Sequence, residues 1–371
     1  MTPQSSNKIY INARFLSQQK SRLTGVQRYA IQVICALDSL IETGEIDKNK
    51  FSITLISPKS IQYTLPLKHI SLEKVGFMNG HLWEQIELPF YSRNGFLLNL
   101  TNTAPIARSI QIATIHDVSV FAIPHAYSFT FRTWYKLIFI GLKNRTKAFI
   151  TVSHFSKNEI IKYLGVNSNK IHAIYEGKEH IYAIDSDISL LQKNHLLDKR
   201  FILLVSSMSP HKNFITTLQA IEQLADTEIY FVIVGINYPK VFMPPKLQSS
   251  EKVMHLGFVS DSELKALYEH AFCFLHPTLY EGFGLPPLEA MACGCPVVLS
   301  NTTALPEIFG DAALYFDPSD PEDIASKVKQ LINSHQLQKE LIQKSKQHAE
   351  LFSWKKCAQD IYKVLEQEIA H

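Results

Sequence analysis

No run of the roughly 18 apolar residues that a spanning helix needs occurs anywhere in the chain, and its first eight residues, MTPQSSNK, lack the basic-then-apolar order of a secretory signal. Both absences point away from a secreted or membrane-spanning protein. Cysteine is scarce: Cys35, Cys273, Cys293, Cys295 and Cys357 are an odd number spread over 371 residues, with no CxxC pair and no disulfide ladder. That usage suits a reducing, cytoplasmic setting. No GxGxxG follows a first strand and no GxxxxGK[ST] occurs, which weakens dinucleotide oxidoreductase and P-loop readings. Finger, RNP and helix-turn-helix signatures are absent too, so no nucleic-acid partner is expected. No period of about 20 to 50 residues repeats, and a solenoid is excluded.

What is present is globular. Hydrophobic residues make up 46% and charged residues 19%, with 14 Gly and 17 Pro, and the length exceeds what one core serves. The net charge of +3 conceals an asymmetry: residues 1–190 carry +8 and residues 191–371 carry −5, so the first half suits an anionic surface. Short apolar runs alternate with segments of helical period, the pattern of βαβ units and parallel sheets. Strands are expected at Ile9–Ile11, Phe51–Ile56, Phe96–Leu100, Ile110–Ile115 and Ala148–Val152, then again at Phe201–Val205, Glu228–Val234, Val253–Leu256 and Phe272–Leu275. The polar, weakly periodic stretch near Tyr182–Lys199 separates the two series. The expected division is therefore a first domain at 1–185, a linker at 186–199 and a second domain at 200–352.

Chemistry concentrates in Glu281–Ser300, EGFGLPPLEAMACGCPVVLS. Gly282 and Gly284 let backbone approach a ligand, Pro286 and Pro287 suit a first helical turn, and free N–H groups near Gly284 and Leu285 form an anion-binding helix start. Glu281 precedes that helix and Glu289 lies in it, farther apart than the ~5 Å of a glycosidase pair, as two holding groups for an extended polyhydroxy ligand. Phe283, between them, reads equally well as core. Lys212 stands before a helix start, where a cation suits a diphosphate. His116 ends a buried strand, with Asp117 following, and is either a ligand contact or a packed histidine. Thr24-Gly25 opens the first helix toward a phosphate or acceptor. Asp185-Ser186-Asp187 has the outline of a metal-binding DxD but reads as a solvated turn, and no cluster calls for a metal. At helical period, Phe131, Trp134, Tyr135, Ile138 and Leu142 fall on one face and Arg132, Lys136 and Lys143 on another, the layout of either a core helix or an interfacial one.

The spacing Glu281, seven residues, Glu289 resembles the signature of retaining glycosyltransferases of family 4, the group 1 type that includes mannosyltransferases of bacterial surface polysaccharide. The resemblance continues through Thr24–Tyr29 (TGVQRY), Ile115–Asp117 (IHD), Val152–Ser156 (VSHFS), Ser209–Asn213 (SPHKN) and Leu256–Ser260 (LGFVS). It implies an α/β GT-B fold, two Rossmann-like parallel-sheet domains facing a cleft, with a last helix (353–371) crossing back to the first. It further implies catalytic roles for Glu281 on sugar hydroxyls, Lys212 on the diphosphate and His116 near the donor sugar. Donor contacts would come from Glu289 on the ribose, from the Phe283, Gly284 and Leu285 loop, from Gly25, and from Phe258 and Val259 on the nucleobase. Two departures stand out: Ser206-Ser207 where many relatives place an Arg, and a single Gly25 where some have a pair. The implied activity is retaining transfer from a nucleotide-diphosphate sugar, by front-face attack and without cofactor or metal, to a growing glycan or polyprenyl-diphosphate-linked acceptor in lipopolysaccharide-type biosynthesis. An anionic membrane surface is the further expected partner of the cytoplasmic protein, through Arg132, Trp134, Lys136 and Lys143. The alternative is a non-catalytic sugar-nucleotide-binding scaffold subunit.

Overall fold

The computed structural model describes residues 7–19, 23–206, 209–235 and 252–370, so most of the amino-terminal MTPQSSNK segment and Ser207 lie outside the described residues. The chain divides into two units, residues 1–177 with 353–371, and residues 178–352.

In the first unit a seven-stranded parallel sheet has the order β3-β2-β1-β4-β5-β6-β7, from β1 (Asn7–Asn12), β2 (Phe51–Ser57), β3 (Ser71–Lys74), β4 (Phe96–Asn99), β5 (Gln111–Thr114), β6 (Ala148–Thr151) and β7 (Ile171–Ala173). Inner strands such as FLLN and AFIT are buried at every position, as sheets covered on both faces require. Between β1 and β2 runs α1 (Gly25–Glu42). Its capping box has the Thr24 N–H donating to Gln27 Oε1 at 2.7 Å, and its core face includes Tyr29, Ala30, Val33, Ile34 and Leu37. Later come α2 (Phe129–Lys143) and α3 (His154–Leu164), the latter capped by the Ser153 hydroxyl. The chain builds outward from β1 to β3 and then returns to place β4 on the other side of β1. That reversal makes the β1/β4 edge a topological switch point.

The second unit repeats the plan with six parallel strands in the order β10-β9-β8-β11-β12-β13: β8 (Phe201–Ser206), β9 (Tyr230–Gly235), β10 (Val253–Gly257), β11 (Cys273–His276), β12 (Val297–Ser300) and β13 (Leu314–Phe316). Here the switch falls between β8 and β11, where Cys273 pairs with Ile202. The helices are α4 (Phe214–Glu222), α5 (Asp261–His270) with the expected Ser260/Glu263 capping box, α6 (Leu285–Ala292), α7 (Pro321–Asn333) and α8 (His335–Ala349). One core cluster joins Ile202, Phe231, Cys273 and Val298 from the sheet to Leu218, Ile221, Val328 and Leu341 from the helices.

The last helix, α9 (Trp354–Ala370), belongs to the first unit and packs along α1. Trp354 meets the edge of Tyr29 at 5.9 Å and Tyr362 that of Phe51 at 5.6 Å. The chain leaves this unit at Gly177 and re-enters at Ser353, and the two strands of backbone touch: a Cβ on Gly177 would fall on the Trp354 nitrogen and 2.6 Å from the Ser353 carbonyl carbon. Residues 178–199 go with the second unit, and the expected linker carries a helix at Ser189–Lys193, because Leu191 and Leu196 are fully buried.

Candidate functional site

The switch point of the second unit gathers what the sequence scatters. β8 hands over to the turn Pro210–Lys212 and β11 hands over at His276 to the loop before α6, so strand order alone brings residues 212 and 281 to the same carboxyl edge. Two hydrogen bonds tie the loops together, as the Leu279 N–H (2.7 Å) and Thr278 hydroxyl (3.1 Å) both donate to the His211 carbonyl. Across the seam Lys212 Nζ lies 2.8 Å from Glu281 Oε2. His276 Nε2 approaches the same oxygen at 3.2 Å. Burial would raise the Glu281 carboxyl, but the Lys212 ammonium and the His276 contact more than offset it and hold Glu281 well below the usual carboxylate range. Burial pushes His276 down, so the imidazole is neutral at pH 7 and donates its Nε2–H to Glu281. The backbone of Glu281 is fixed by the Thr303 hydroxyl, which accepts its N–H at 3.2 Å.

The glycine loop then turns into α6. Gly284 has φ 103°, and a Cβ there would come within 2.9 Å of Leu305 and Phe309, so backbone and core meet with no side chain between. Pro286 and Pro287 occupy the first turn. Phe283 is packed against Phe352, ring centroids 5.9 Å apart, so any ligand role there falls to its backbone. Leu285 is likewise buried. Glu289 is buried in α6 with His180 Nε2 2.8 Å from Oε1 and the Tyr268 hydroxyl donating to Oε2 at 3.2 Å. Phe258 is exposed and Val259 half-buried just beyond β10. Asp187 accepts the Ser189 N–H at 2.9 Å, a turn as expected.

The sequence profile of the family described as Glycosyl transferases group 1 matches residues 187–348, which includes Lys212, His276, Glu281 and Glu289. O-antigen chain mannosyltransferase B of Escherichia coli is 32% identical over 256 residues, covering 66% of this chain and 67% of that protein. The chain belongs to the group 1 glycosyltransferases. Among solved structures, sucrose-phosphate synthase from Thermosynechococcus elongatus shares its fold at TM-score 0.74 with 16% identity over 98% of this chain and 99% of that one. Anabaena HepE, in complex with UDP and glucose, matches at TM-score 0.71 and 17% identity over 97% of this chain and all of HepE. The two parallel-sheet units thus have the GT-B fold of a family 4 glycosyltransferase.

In the first unit of the glycosyltransferase, His116 lies just past β5 and is buried. Its Nε2–H donates to the Leu100 carbonyl at 3.2 Å, Nδ1 faces Glu176 Oε1 at 3.7 Å, and the Tyr29 ring meets it edge-on at 4.6 Å. Gly25 opens α1 with open space where a Cβ would stand. At the β1/β4 switch point, fully buried Glu84 accepts from Arg14 Nε at 2.9 Å and from Asn12 and Thr103 at 3.0 Å each. Burial raises its carboxyl, but Arg14 and the hydrogen bonds bring it down to about 2. Arg14 is thus committed within its own unit.

Along α2, Ile138, Phe139 and Leu142 are buried and Phe129, Leu137 and Ile140 are exposed on the other side, while Phe131 and Trp134, on the face of Ile138 and Leu142, are exposed as well. Arg132 lies over the Phe129 ring at 5.4 Å, Lys136 over Phe121 at 4.9 Å, and Lys143 leans over Gly165. Beside α2, the helical stretch 80–91 exposes Leu82, Ile86 and Phe90, and its His81 ring is 5.6 Å from Trp134. His276, His180, Tyr268 and Glu176 escaped the sequence reading. Of these only His276 left a signal, a histidine closing an apolar strand five residues before Glu281.

Proposed function

We propose that the protein is a retaining hexosyltransferase that moves a sugar from a nucleoside diphosphate to a growing or lipid-linked glycan in cell-surface polysaccharide assembly. The observation that carries the reading is the Lys212–Glu281–His276 cluster beside the α6 start. Negative charge that develops on a departing diphosphate is met by Lys212 and by the N–H groups of α6, and Glu281, ionised and rigid, takes sugar hydroxyls. Glu289, oriented by His180 and Tyr268, takes the ribose. Glu281 is held by a cation and a histidine rather than poised as a nucleophile, which favours front-face attack with the donor phosphate receiving the acceptor's proton. The mannosyltransferase of E. coli O-antigen chains supports a hexose and a surface glycan. No helix among the described residues is long and apolar enough to cross a membrane. The exposed apolar side of α2 and residues 82–90, rimmed by Arg132 and Arg93, supports peripheral docking on an anionic bilayer near a lipid-linked acceptor. Calorimetry with a panel of nucleoside diphosphates, followed by mass spectrometry of product with GDP-mannose and UDP-hexoses, tests the assignment. Donor binding without hydrolysis or transfer would replace it with the scaffold role.

A further inference from the structure

The loop that follows β12 brings a strained residue against Glu281. Among the described residues, three that are not glycine have left-handed backbone: His195 at φ 53°, Asn213 at 56° and Thr303 at 57°. Histidine and asparagine enter this region more readily than most side chains, whereas a β-branched residue is an outlier there. We propose that Thr303 is a positioning residue for the donor sugar, whose strained backbone aims the hydroxyl that holds Glu281 and so governs the transfer step rather than nucleotide affinity; the inference rests on the reading above that Glu281 takes sugar hydroxyls, and adds what keeps it in place.

Ser300, the last residue of β12, donates its hydroxyl to the His276 carbonyl at 3.2 Å, which ties the loop 301–304 to the end of β11, just before the loop that carries Glu281. The Thr303 hydroxyl donates to the Thr302 carbonyl at 2.8 Å. With its one hydrogen so used, the oxygen is left to accept, and it accepts the Glu281 N–H at 3.2 Å. The next residue completes the hold, as the Ala304 N–H donates to the Glu281 carbonyl at 3.4 Å. Both main-chain polar groups of Glu281 are thus bound by consecutive residues of one loop. The left-handed turn at Thr303 presents a side-chain oxygen and the following N–H together. Glycine would adopt the same backbone at lower cost and bring no hydroxyl. Strain of this kind persists only where the surroundings impose it. At the other end of the residue, the carboxylate is held by Lys212 and His276. Lys212 is the partner that a diphosphate would draw away, so with donor bound the main-chain hold and His276 remain to fix Glu281. A displacement of about 1 Å at such a group is enough to cost on the order of 100-fold in rate.

Three substitutions separate the hydroxyl from the strain. Thr303→Ser keeps the hydroxyl and drops the β-branch, Thr303→Val keeps the branch and drops the hydroxyl, and Thr303→Gly drops both. If Thr303 only shapes the loop, activity follows backbone strain, and Thr303→Gly matches or exceeds the wild type. If it positions Glu281, activity follows the hydroxyl. The full chain is read by hydrogen exchange over residues 277–284, by GDP and UDP binding in calorimetry, and by nucleotide release from GDP-mannose and UDP-glucose. Thr303→Ser is expected within about threefold of wild-type turnover, and Thr303→Gly and Thr303→Val at least about tenfold below it. Those two should also exchange the Glu281 amide faster while binding nucleoside diphosphate as the wild type does. Wild-type turnover and exchange in Thr303→Gly, with Glu281→Gln inactive, overturns the proposal and leaves the reading of Glu281 standing. So does a loss in Thr303→Gly that falls equally on nucleotide affinity, or a Thr303→Ser as impaired as Thr303→Val. Wild-type turnover in Glu281→Gln sinks the reading of Glu281 and the proposal with it. A wild type that releases nucleotide from neither sugar nucleotide counts against the donor reading, and exchange in Thr303→Gly against Thr303→Ser then decides the hold on Glu281.

Discussion

Replacing Lys212 with methionine removes one charge from the centre of the second unit and little volume. At 2.8 Å the gross attraction to Glu281 is about 6 kcal/mol for an effective dielectric of 20. Desolvation of both groups cancels much of that. Truncating one partner of a fully buried pair costs about 3–5 kcal/mol, and side chains 22% and 21% exposed put this pair at or below the lower end, about 2–3 kcal/mol at pH 7. The loss should depend on pH in a defined direction. In the wild type the folded Glu281 carboxyl sits below its unfolded value, so its contribution is full above about 4.3 and is lost only as pH falls through the folded value. Without Lys212, burial remains and the carboxyl climbs, so the variant recovers as the group protonates. The stability gap should therefore narrow from pH 7 toward pH 4. Trp83, Trp134 and Trp354 all lie in the first unit, so tryptophan fluorescence is blind to the change and hydrogen exchange of β8, β11 and α6 must report it. Turnover should fall at least about 100-fold, the scale of one lost electrostatic stabiliser. Unchanged exchange at pH 7, a gap that ignores pH, or a Lys212→Met/Glu281→Gln double variant that shows no coupling would refute the reasoning.

Gly177→Ala should cost more than about 3 kcal/mol in the first unit, because the new Cβ meets the backbone of Ser353 and Trp354 rather than a side chain that can move; thermal unfolding followed by Trp354 emission would read it, and a wild-type midpoint would show that the crossing is not tight. His180→Gln should weaken nucleoside diphosphate binding about tenfold in calorimetry, as Glu289 loses a 2.8 Å partner that orients it, and equal affinity would detach this pair from the donor. Trp134→Gln with Leu137→Gln should reduce sedimentation with anionic liposomes at low salt by more than half, and equal partitioning of the wild type to neutral and anionic vesicles would remove the bilayer reading.

How much could be read in advance follows from how each feature is encoded. Inner strands such as FILLVS and CFLH announce themselves because both faces are covered and every residue but the last is apolar. The edge strands SLEK and IHA escaped, since three or four residues at a sheet margin carry no run to detect. Glu281, Lys212 and Glu289 stand in motifs with their own local logic. Their partners do not: His180 is 109 residues from Glu289 and is joined to it only by tertiary packing. The α2 helix shows a different limit. It has apolar residues nearly all round, so periodicity identifies a helix without deciding that Ile138 and Phe139 go inward while Leu137 and Ile140 stay out.

The two switch points share a topology and carry opposite chemistry. In the first unit, Glu84 is sealed at the β1/β4 edge by Arg14, Asn12 and Thr103, and Asn12 Nδ2 also bonds Asn99 at 3.0 Å. A fully buried carboxylate with that many donors is committed to them, and removing Arg14 would leave a buried charge without its counter-ion. In the second unit the acid and cation keep about a fifth of their surfaces, so an incoming ligand can reach them. Their mutual contact neutralises both in the free protein. A diphosphate would draw on Lys212 and sugar hydroxyls on Glu281, exchanging one strong contact for two that exist only with the donor in place. That exchange costs little when the replacement partners are themselves charged or multiply hydrogen-bonded, and a great deal when they are water. The same strand order thus supplies a rigid clamp in one unit and a replaceable ion pair in the other, and the replaceable pair is the one that can select a ligand bearing both a diphosphate and a sugar.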